Sequence, residues 1–376
     1  MLLVLCRMDR GATEFLENLH VKIWATFLEL KNSLGGAVRA LVVEQFGRPV
    51  DVAHVKTWPE PETPKDNEVT IDVAYASVSH SSGLLIEGKY QTTPPLPFIP
   101  GTEAVGTVIA CGAQVKHVRP GDRVMALSRW GCFAERITIS AHTVYPILDG
   151  MNWLQALPLP NSYGTAYTAL LWRAKIEPGE SLLVLGAGSG TGLACVEIAA
   201  ALGIKVIACA STPAKRELAL SRGADHVVEP GDALVQQVKT LTNGRGVDVV
   251  FDPIGGDVME RALRATAQGA RVLTIGFASG KIPSLPMNIV LVKNLSLLGF
   301  FFGLYTGWTH EDETQKHLSA MQKMMNTLQR WALSGRIKPG VTQTYPLTGL
   351  TDALADLHHR QVTGKLALEI LGDIKK

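Results

Sequence analysis

The chain has 376 residues, 46% hydrophobic and 19% charged, with a formal net charge of +2. That length exceeds the roughly 250–300 residues at which a single core stops growing, so two domains are expected. The near-neutral balance, with no basic stripe interleaved with aromatics, argues against a nucleic-acid partner or a membrane held by charge, and no apolar run reaches the roughly 18 residues that span a bilayer.

Residues 1–37 read as an N-terminal extension. Leu2 to Cys6 is too short for a signal-peptide core, and Thr13 to Leu34 has helical spacing of apolar residues closed by Gly35-Gly36. Glu14, Glu17 and Glu29 weigh against a transit peptide. From residue 38 to 160 the pattern is short strands and turns: Ala40 to Glu44, Val69 to Ala76, Gly106 to Ala110, Arg123 to Ala126 and Ala134 to Ile139, punctuated by prolines at 59–64 and 94–100. This half reads as antiparallel and barrel-like.

Around residue 161 the pattern changes to alternating strands and helices. Leu182 to Leu185 is a buried strand, 186–192 a glycine-rich turn, Leu193 to Leu202 a helix and Lys205 to Ala210 a second strand. Such a β-α-β unit brings backbone amides and a helix N-terminus up to an anion, and glycine admits a pyrophosphate where a Cβ would block it. Ala187, Gly190, Thr191 and Gly192 form the A-x-x-G-x-G core of the turn, with Gly186 as an additional glycine. Where an NAD site usually carries Asp or Glu at the tip of the second strand, this chain has Ser211, Lys215 and Arg216. Hydroxyl and cationic groups there suit a 2′-phosphate, so the expected cofactor is NADPH.

Val247 to Phe251 and Arg271 to Ile275 continue the parallel sheet, and Phe300 to Phe302, following the last strand of that sheet, reads as core in a buried strand, with a cofactor-lining or dimer-edge segment as the alternative. A helix over about 311–333 then leads back to short strands near Gln343 and Leu366. The five cysteines (Cys6, Cys111, Cys132, Cys195, Cys209) are odd in number, show no C-x-x-C spacing and fit reduced thiols of a cytoplasmic protein.

The segments Gly88-Lys-Tyr90, Pro95 to Glu103, Pro120 to Val124, Tyr163 to Tyr167, Pro178-Gly179, the glycine turn, Gly223-Ala-Asp225, Phe251 to Gly256 and Thr363-Gly-Lys365 occur in one characteristic order. Together they resemble the medium-chain dehydrogenase/reductase superfamily, and within it the zinc-free quinone oxidoreductase (zeta-crystallin-like) branch. The resemblance implies an α/β fold: a GroES-like mainly-β catalytic domain over 38–160 and 304–376, interrupted by a Rossmann doubly wound parallel sheet over 161–303. It further implies a homodimer, with the apolar Leu291, Leu295, Leu297 and Leu298 compatible with an edge interface.

Zinc-bearing relatives carry an early Cys ligand and a Gly-His-Glu. Here Val78 to Gly83 lacks Cys, Thr102 replaces that His, and the four-cysteine loop is missing, so no metal is expected. Quinone-reducing relatives usually show Asn-Phe-x-Asp before Gly-Lys-Tyr, whereas this chain has Ser79-His80-Ser81-Ser82. By resemblance, Thr165 lies near the nicotinamide and phosphates, Gly276 and Phe277 hold the carboxamide, and Tyr90 lines the acceptor pocket. Ser79 takes the place of the Asn, and His80 is either a donor in the cleft or a surface histidine. Tyr90, His80 or solvent delivers the proton.

Without a metal to polarise an alcohol, the acceptor must already be electrophilic, which selects a quinone, an enone or an enoyl thioester. A thioester of CoA asks for a basic rim, for which Lys89, Arg129 and Lys293 are scattered candidates. A non-catalytic NADPH-binding protein is the alternative from another class.

Overall fold

The computed structural model describes residues 36–358 and 362–371. The helix expected over Thr13 to Leu34 lies outside them. The first described element is an antiparallel hairpin of β1 (Ala37–Val43) and β2 (Ala53–Pro59).

Apart from this hairpin, which is a sheet of its own, the strands of the mainly-β half form one sheet assembled from two distant stretches of chain. From the first come β3 (Glu68–Val78), β4 (Glu103–Cys111), β5 (Arg123–Leu127), β6 (Arg136–Ser140) and β7 (Val144–Pro146). The helix α1 (His80–Ile86) follows β3 directly. The alternation of buried β-branched residues, such as Val69, Ile71 and Val73, faces one core shared with Val105's neighbours Ala104 and Val108.

The second half is a six-stranded sheet built from β8 (Ser181–Leu185), β9 (Lys205–Cys209), β10 (His226–Val228), β11 (Val247–Asp252), β12 (Thr266–Thr274) and β13 (Ser296–Gly299). Its order is β10-β9-β8-β11-β12-β13, and every pairing is parallel. Strands buried on both faces read as continuous apolar runs, which is why Leu182, Leu183, Val184 and Leu185 are all fully buried. Each such side chain contributes about 1.5–3 kcal/mol relative to exposure. The crossovers are α2 (Gly190–Ala201), α3 (Pro213–Ser221), α4 (Leu234–Leu241), α5 (Gly256–Arg264) and α6 (Met287–Lys293). Strand order reverses direction between β8 and β11, which opens a crevice at their carboxyl ends.

After this sheet the long helix α7 (Thr314–Leu333) returns the chain to the first half. There β14 (Gln343–Pro346), α8 (Leu350–His358) and β15 (Leu366–Glu369) complete the antiparallel-dominated sheet, in the order β14-β15-β3-β4-β5-β7 with β6 on β3. The fold is thus the expected GroES-like sheet with an inserted doubly wound parallel sheet.

Two expectations are corrected. Phe300 to Phe302 does not continue a strand: β13 pairs with β12 only as far as Gly299 opposite Thr274, and Phe302–Thr306 forms a 3-10 turn. The aromatics still serve as core, since Phe300 and Phe302 are buried and a Cβ on Gly164 would come within 2.8 Å of the Phe302 ring. The helix after the glycine turn starts at Gly190 rather than Leu193, because Ser189 caps it: its Oγ accepts from the Gly192 amide at 3.2 Å.

Candidate functional site

The glycine turn joins β8 to α2 at the crevice. Gly186 has φ 63°, in the region that favours glycine, and a Cβ there would press on Ile254. Gly192 lies so close to the carbonyl oxygen of Gly186 that a Cβ would overlap it. The Ala187 amide donates to the Cys209 oxygen at 3.0 Å, tying the turn to the tip of β9. Ala187 is buried, while Gly190 and Thr191 are half-buried in the first turn of α2.

At that tip, Ser211 is exposed and Thr212 caps α3, accepting from the Lys215 amide at 3.3 Å. The Lys215 stem crosses Gly188, where a Cβ would meet its Cγ at 2.6 Å. Arg216 donates to the Ala210 oxygen at 3.0 Å and pairs with Glu229 at 2.7 Å. A carboxylate missing from the tip of β9 therefore arrives from the segment after β10, already bound to a cation.

The third wall is the loop after β11. Asp252 is fully buried and accepts from the Ile254 amide at 2.8 Å and the Gly255 amide at 2.9 Å. Burial outweighs these amides and raises its carboxyl to about 6. The next loop docks on this one: Ala278 donates to the Pro253 oxygen at 3.1 Å, and the Phe277 ring lies against Gly255. Gly276 and Phe277 are half-buried beside it.

Thr165 is buried in a short helix, Gly164–Tyr167, between two π-helical turns, and this helix packs on α2. Beside it, Tyr163 donates to Glu197 Oε2 at 2.8 Å, and the Lys338 amide donates to the same oxygen at 2.6 Å. Arg222 pairs with the other oxygen. Burial, then the Glu197 charge, pushes the Tyr163 hydroxyl well up, so it is a structural donor here. Tyr167 instead joins an aromatic cluster with Trp172 and Trp331.

The structure thus brings Thr165, Ala187, Gly190, Thr191, Gly192, Lys215, Arg216, Gly276 and Phe277 to the elements around one crevice, with Ser211 at its edge. The acceptor-side residues are placed differently. Ser79 is the N-cap residue of α1, with its Oγ 2.7 Å from that of Ser81 and its amide donating to Ser82 Oγ at 3.4 Å. His80 is exposed. Tyr90 is half-buried against the β-sheet core, and burial raises its hydroxyl. The link to the crevice is the register of β3 with β15: Val78, the residue before Ser79, pairs with Leu366, the residue after Lys365. Gly364 then donates to the Gly188 oxygen at 3.2 Å.

The proposed basic rim does not form from the scattered cations. Lys89 pairs with Glu87 at 2.8 Å, Arg129 donates to the Gly307 and Thr309 oxygens, and Lys293 donates to the Leu263, Arg264 and Thr266 oxygens. Lys293 thereby closes the C-terminus of α5.

Residues 65–149 match the alcohol dehydrogenase GroES-like domain family, and residues 190–323 match the family described as zinc-binding dehydrogenase. Over 334 residues the chain is 36% identical to quinone oxidoreductase-like protein 2 of Rattus norvegicus, covering 88% of this chain and 92% of that protein. The chain belongs to the quinone oxidoreductase branch of the medium-chain dehydrogenase/reductase superfamily. Quinone oxidoreductase of Homo sapiens is 29% identical to it, over 88% of this chain and 97% of the human protein. The solved structure of Escherichia coli quinone oxidoreductase complexed with NADPH matches it with a TM-score of 0.78 at 27% identity, over 89% of this chain and 99% of that chain. Among the described residues of this quinone oxidoreductase family member, no group of three or more His, Cys, Asp and Glu side chains is arranged to hold a metal ion. No helix of these residues is long and apolar enough to cross a membrane.

Sequence reasoning missed one pair. Glu103 and Lys365 had appeared only as parts of family motifs, yet they meet in the buried interior, 2.5 Å apart, beside the glycine turn. Two charged residues within glycine-bearing motifs at opposite ends of the chain were the available signal.

Proposed function

We propose that the protein is a metal-independent oxidoreductase that binds NADPH and passes a hydride to a quinone. The observation that carries this reading is the glycine turn capping α2 at the reversal point of a β10-β9-β8-β11-β12-β13 sheet, with Lys215 and Arg216 at the tip of β9. The residues fit a dinucleotide: no side chain rises from Gly188 to Gly192 except those of Ser189 and Thr191, and the N-terminus of α2 favours an anion. Gly188 to Gly192 would hold the pyrophosphate, Ser211, Lys215 and Arg216 the 2′-phosphate, and Thr165, Gly276 and Phe277 the nicotinamide end. When bound, NADPH supplies the hydride, and the protein supplies orientation and a dry, polarised surround.

The division of labour between a GroES-like half (38–160 and 304–376) and a dinucleotide-binding half (161–303) belongs to the same proposal, as does a role for Ser79, His80 and Tyr90 on the acceptor side. The local pairing of Lys89, Arg129 and Lys293 favours a small uncharged acceptor over a CoA thioester. The related proteins' quinone oxidoreductase names support the same class. We also propose a homodimer through the β13 edge and α6, where Leu291 and Val292 are 77% and 73% exposed. Leu295 is buried and does not contribute.

The test is loss of reduced-cofactor absorbance by purified protein with benzoquinone, phenanthrenequinone, an alkyl vinyl ketone or crotonyl-CoA. Quinone-dependent oxidation of NADPH with little of NADH is expected. Turnover of crotonyl-CoA alone would replace the quinone by a thioester, and tight NADPH binding without turnover would make the protein a non-catalytic binder. A monomer by light scattering at micromolar concentration would remove the dimer.

A further inference from the structure

Glu103 opens β4 and is completely buried, yet its environment does not satisfy it. Lys365 Nζ lies 2.5 Å from Oε1 without hydrogen-bond alignment, and Oε2 has no hydrogen-bond partner among the described residues. The buried Cys132 thiol shares this surround and offers no cation. An ion pair in such a place loses much of its attraction to desolvation, so it is a poor source of stability.

Its position is more telling than its strength. Lys365 Cδ is 3.2 Å from where a Cβ of Gly190 would stand, and its ammonium donates to Ser162 Oγ at 3.3 Å. The preceding Gly364 is hydrogen-bonded to Gly188. One long, flexible cation therefore runs from the N-terminus of α2 to a carboxylate on the opposite sheet.

Resting on the NADPH reading above, we propose that Glu103 is an internal counter-ion that competes with the cofactor's pyrophosphate for Lys365. In the free protein the ammonium is held on Glu103. A pyrophosphate on the glycine turn draws on the same charge, so cofactor affinity is set by how firmly Glu103 retains it. Lys365 is a binding residue in this scheme and Glu103 the positioning residue that acts through it, and the two have opposite signs: removing the carboxylate tightens NADPH binding, and removing the cation weakens it.

The experiment is fluorescence titration of NADPH, and competition by adenosine 2′-monophosphate, on wild type, Glu103→Gln, Lys365→Met and Lys365→Arg. Loss or release of one charge-assisted contact predicts a Kd about tenfold lower for Glu103→Gln and about tenfold higher for Lys365→Met. Lys365→Arg should restore most of the affinity. Adenosine 2′-monophosphate has no pyrophosphate, and its Kd should stay within about twofold in all variants. If wild type fails to bind NADPH, the cofactor reading itself falls. If wild type binds and Glu103→Gln is unchanged or weaker, or if Lys365→Met loses both ligands equally, the counter-ion proposal alone is overturned. Should Glu103→Gln not fold, Glu103→Asp, with its carboxylate drawn back from Lys365, must show the same tightening.

Discussion

The two sides of the crevice are built from different materials. The part of the proposed dinucleotide side that faces the pyrophosphate is made of backbone: a turn whose glycines are demanded by a carbonyl oxygen and by Ile254, an amide ladder on Asp252, and the N-terminus of α2. The proposed acceptor side is made of side chains on a short helix, where the Ser79 hydroxyl meets those of Ser81 and Ser82 and His80 is exposed. Backbone sites tolerate almost no substitution because each position is fixed by sterics. Side-chain sites can exchange residues while the fold persists, so on the proposed reading specificity would reside there.

The sharpest way to break this contrast is Gly192→Ala. The added Cβ meets the Gly186 carbonyl, so a loss of about 3 kcal/mol or more is expected, together with abolished NADPH binding, by thermal denaturation and titration. A stable variant with normal affinity would show that the turn is more plastic than its geometry implies. Next comes Asp252. Burial pushes its carboxyl up to about 6 from the usual carboxylate range near 3.8, so its stability contribution is complete below about pH 4 and is lost as pH rises through 6. Denaturant unfolding should reveal a decline on the order of 2–3 kcal/mol across that window, and Asp252→Asn should flatten it.

Arg216→Ala tests the cofactor side more gently. Removing one charged donor should raise the NADPH Kd about tenfold and leave NADH nearly unchanged. Equal effects on both would move the 2′-phosphate contact elsewhere, with Glu229 retaining Arg216 for itself. The smallest effect is expected for Ser79→Ala, a cap loss of about 1 kcal/mol with modest change in acceptor KM. A fall in kcat of about a hundredfold at unchanged Tm would instead give Ser79 a direct part in catalysis.

Legibility in the sequence follows the same division. The glycine turn, β8 and β9 could be read because glycines at fixed offsets and apolar runs have few alternative meanings. The end of β13 could not be read, because three aromatics have the same pattern in a strand and in a buried turn. The N-cap role of Ser79 was hidden by its coincidence with a motif position, although a serine with another three residues on is a capping signal. The Glu103–Lys365 pair was hidden for a different reason: it joins residues separated by most of the chain, and only the pairing of β15 with β3 brings them together.

That pairing also imposes an order of assembly. β15 lies inside its sheet, between β14 and β3, although it is the last strand of the described chain. The parallel sheet is contiguous from Ser181 to Gly299 and is available to form as soon as it is made. The surrounding sheet must wait, with the Tyr75–Val78 part of β3 unpaired on one side, until β15 arrives, which is the kind of long-range closure that folds slowly and exposes an intermediate to aggregation. Damage at β15 would therefore reach the proposed acceptor wall, the Gly364 contact with the glycine turn and the maturation of the first-made half in a single stroke.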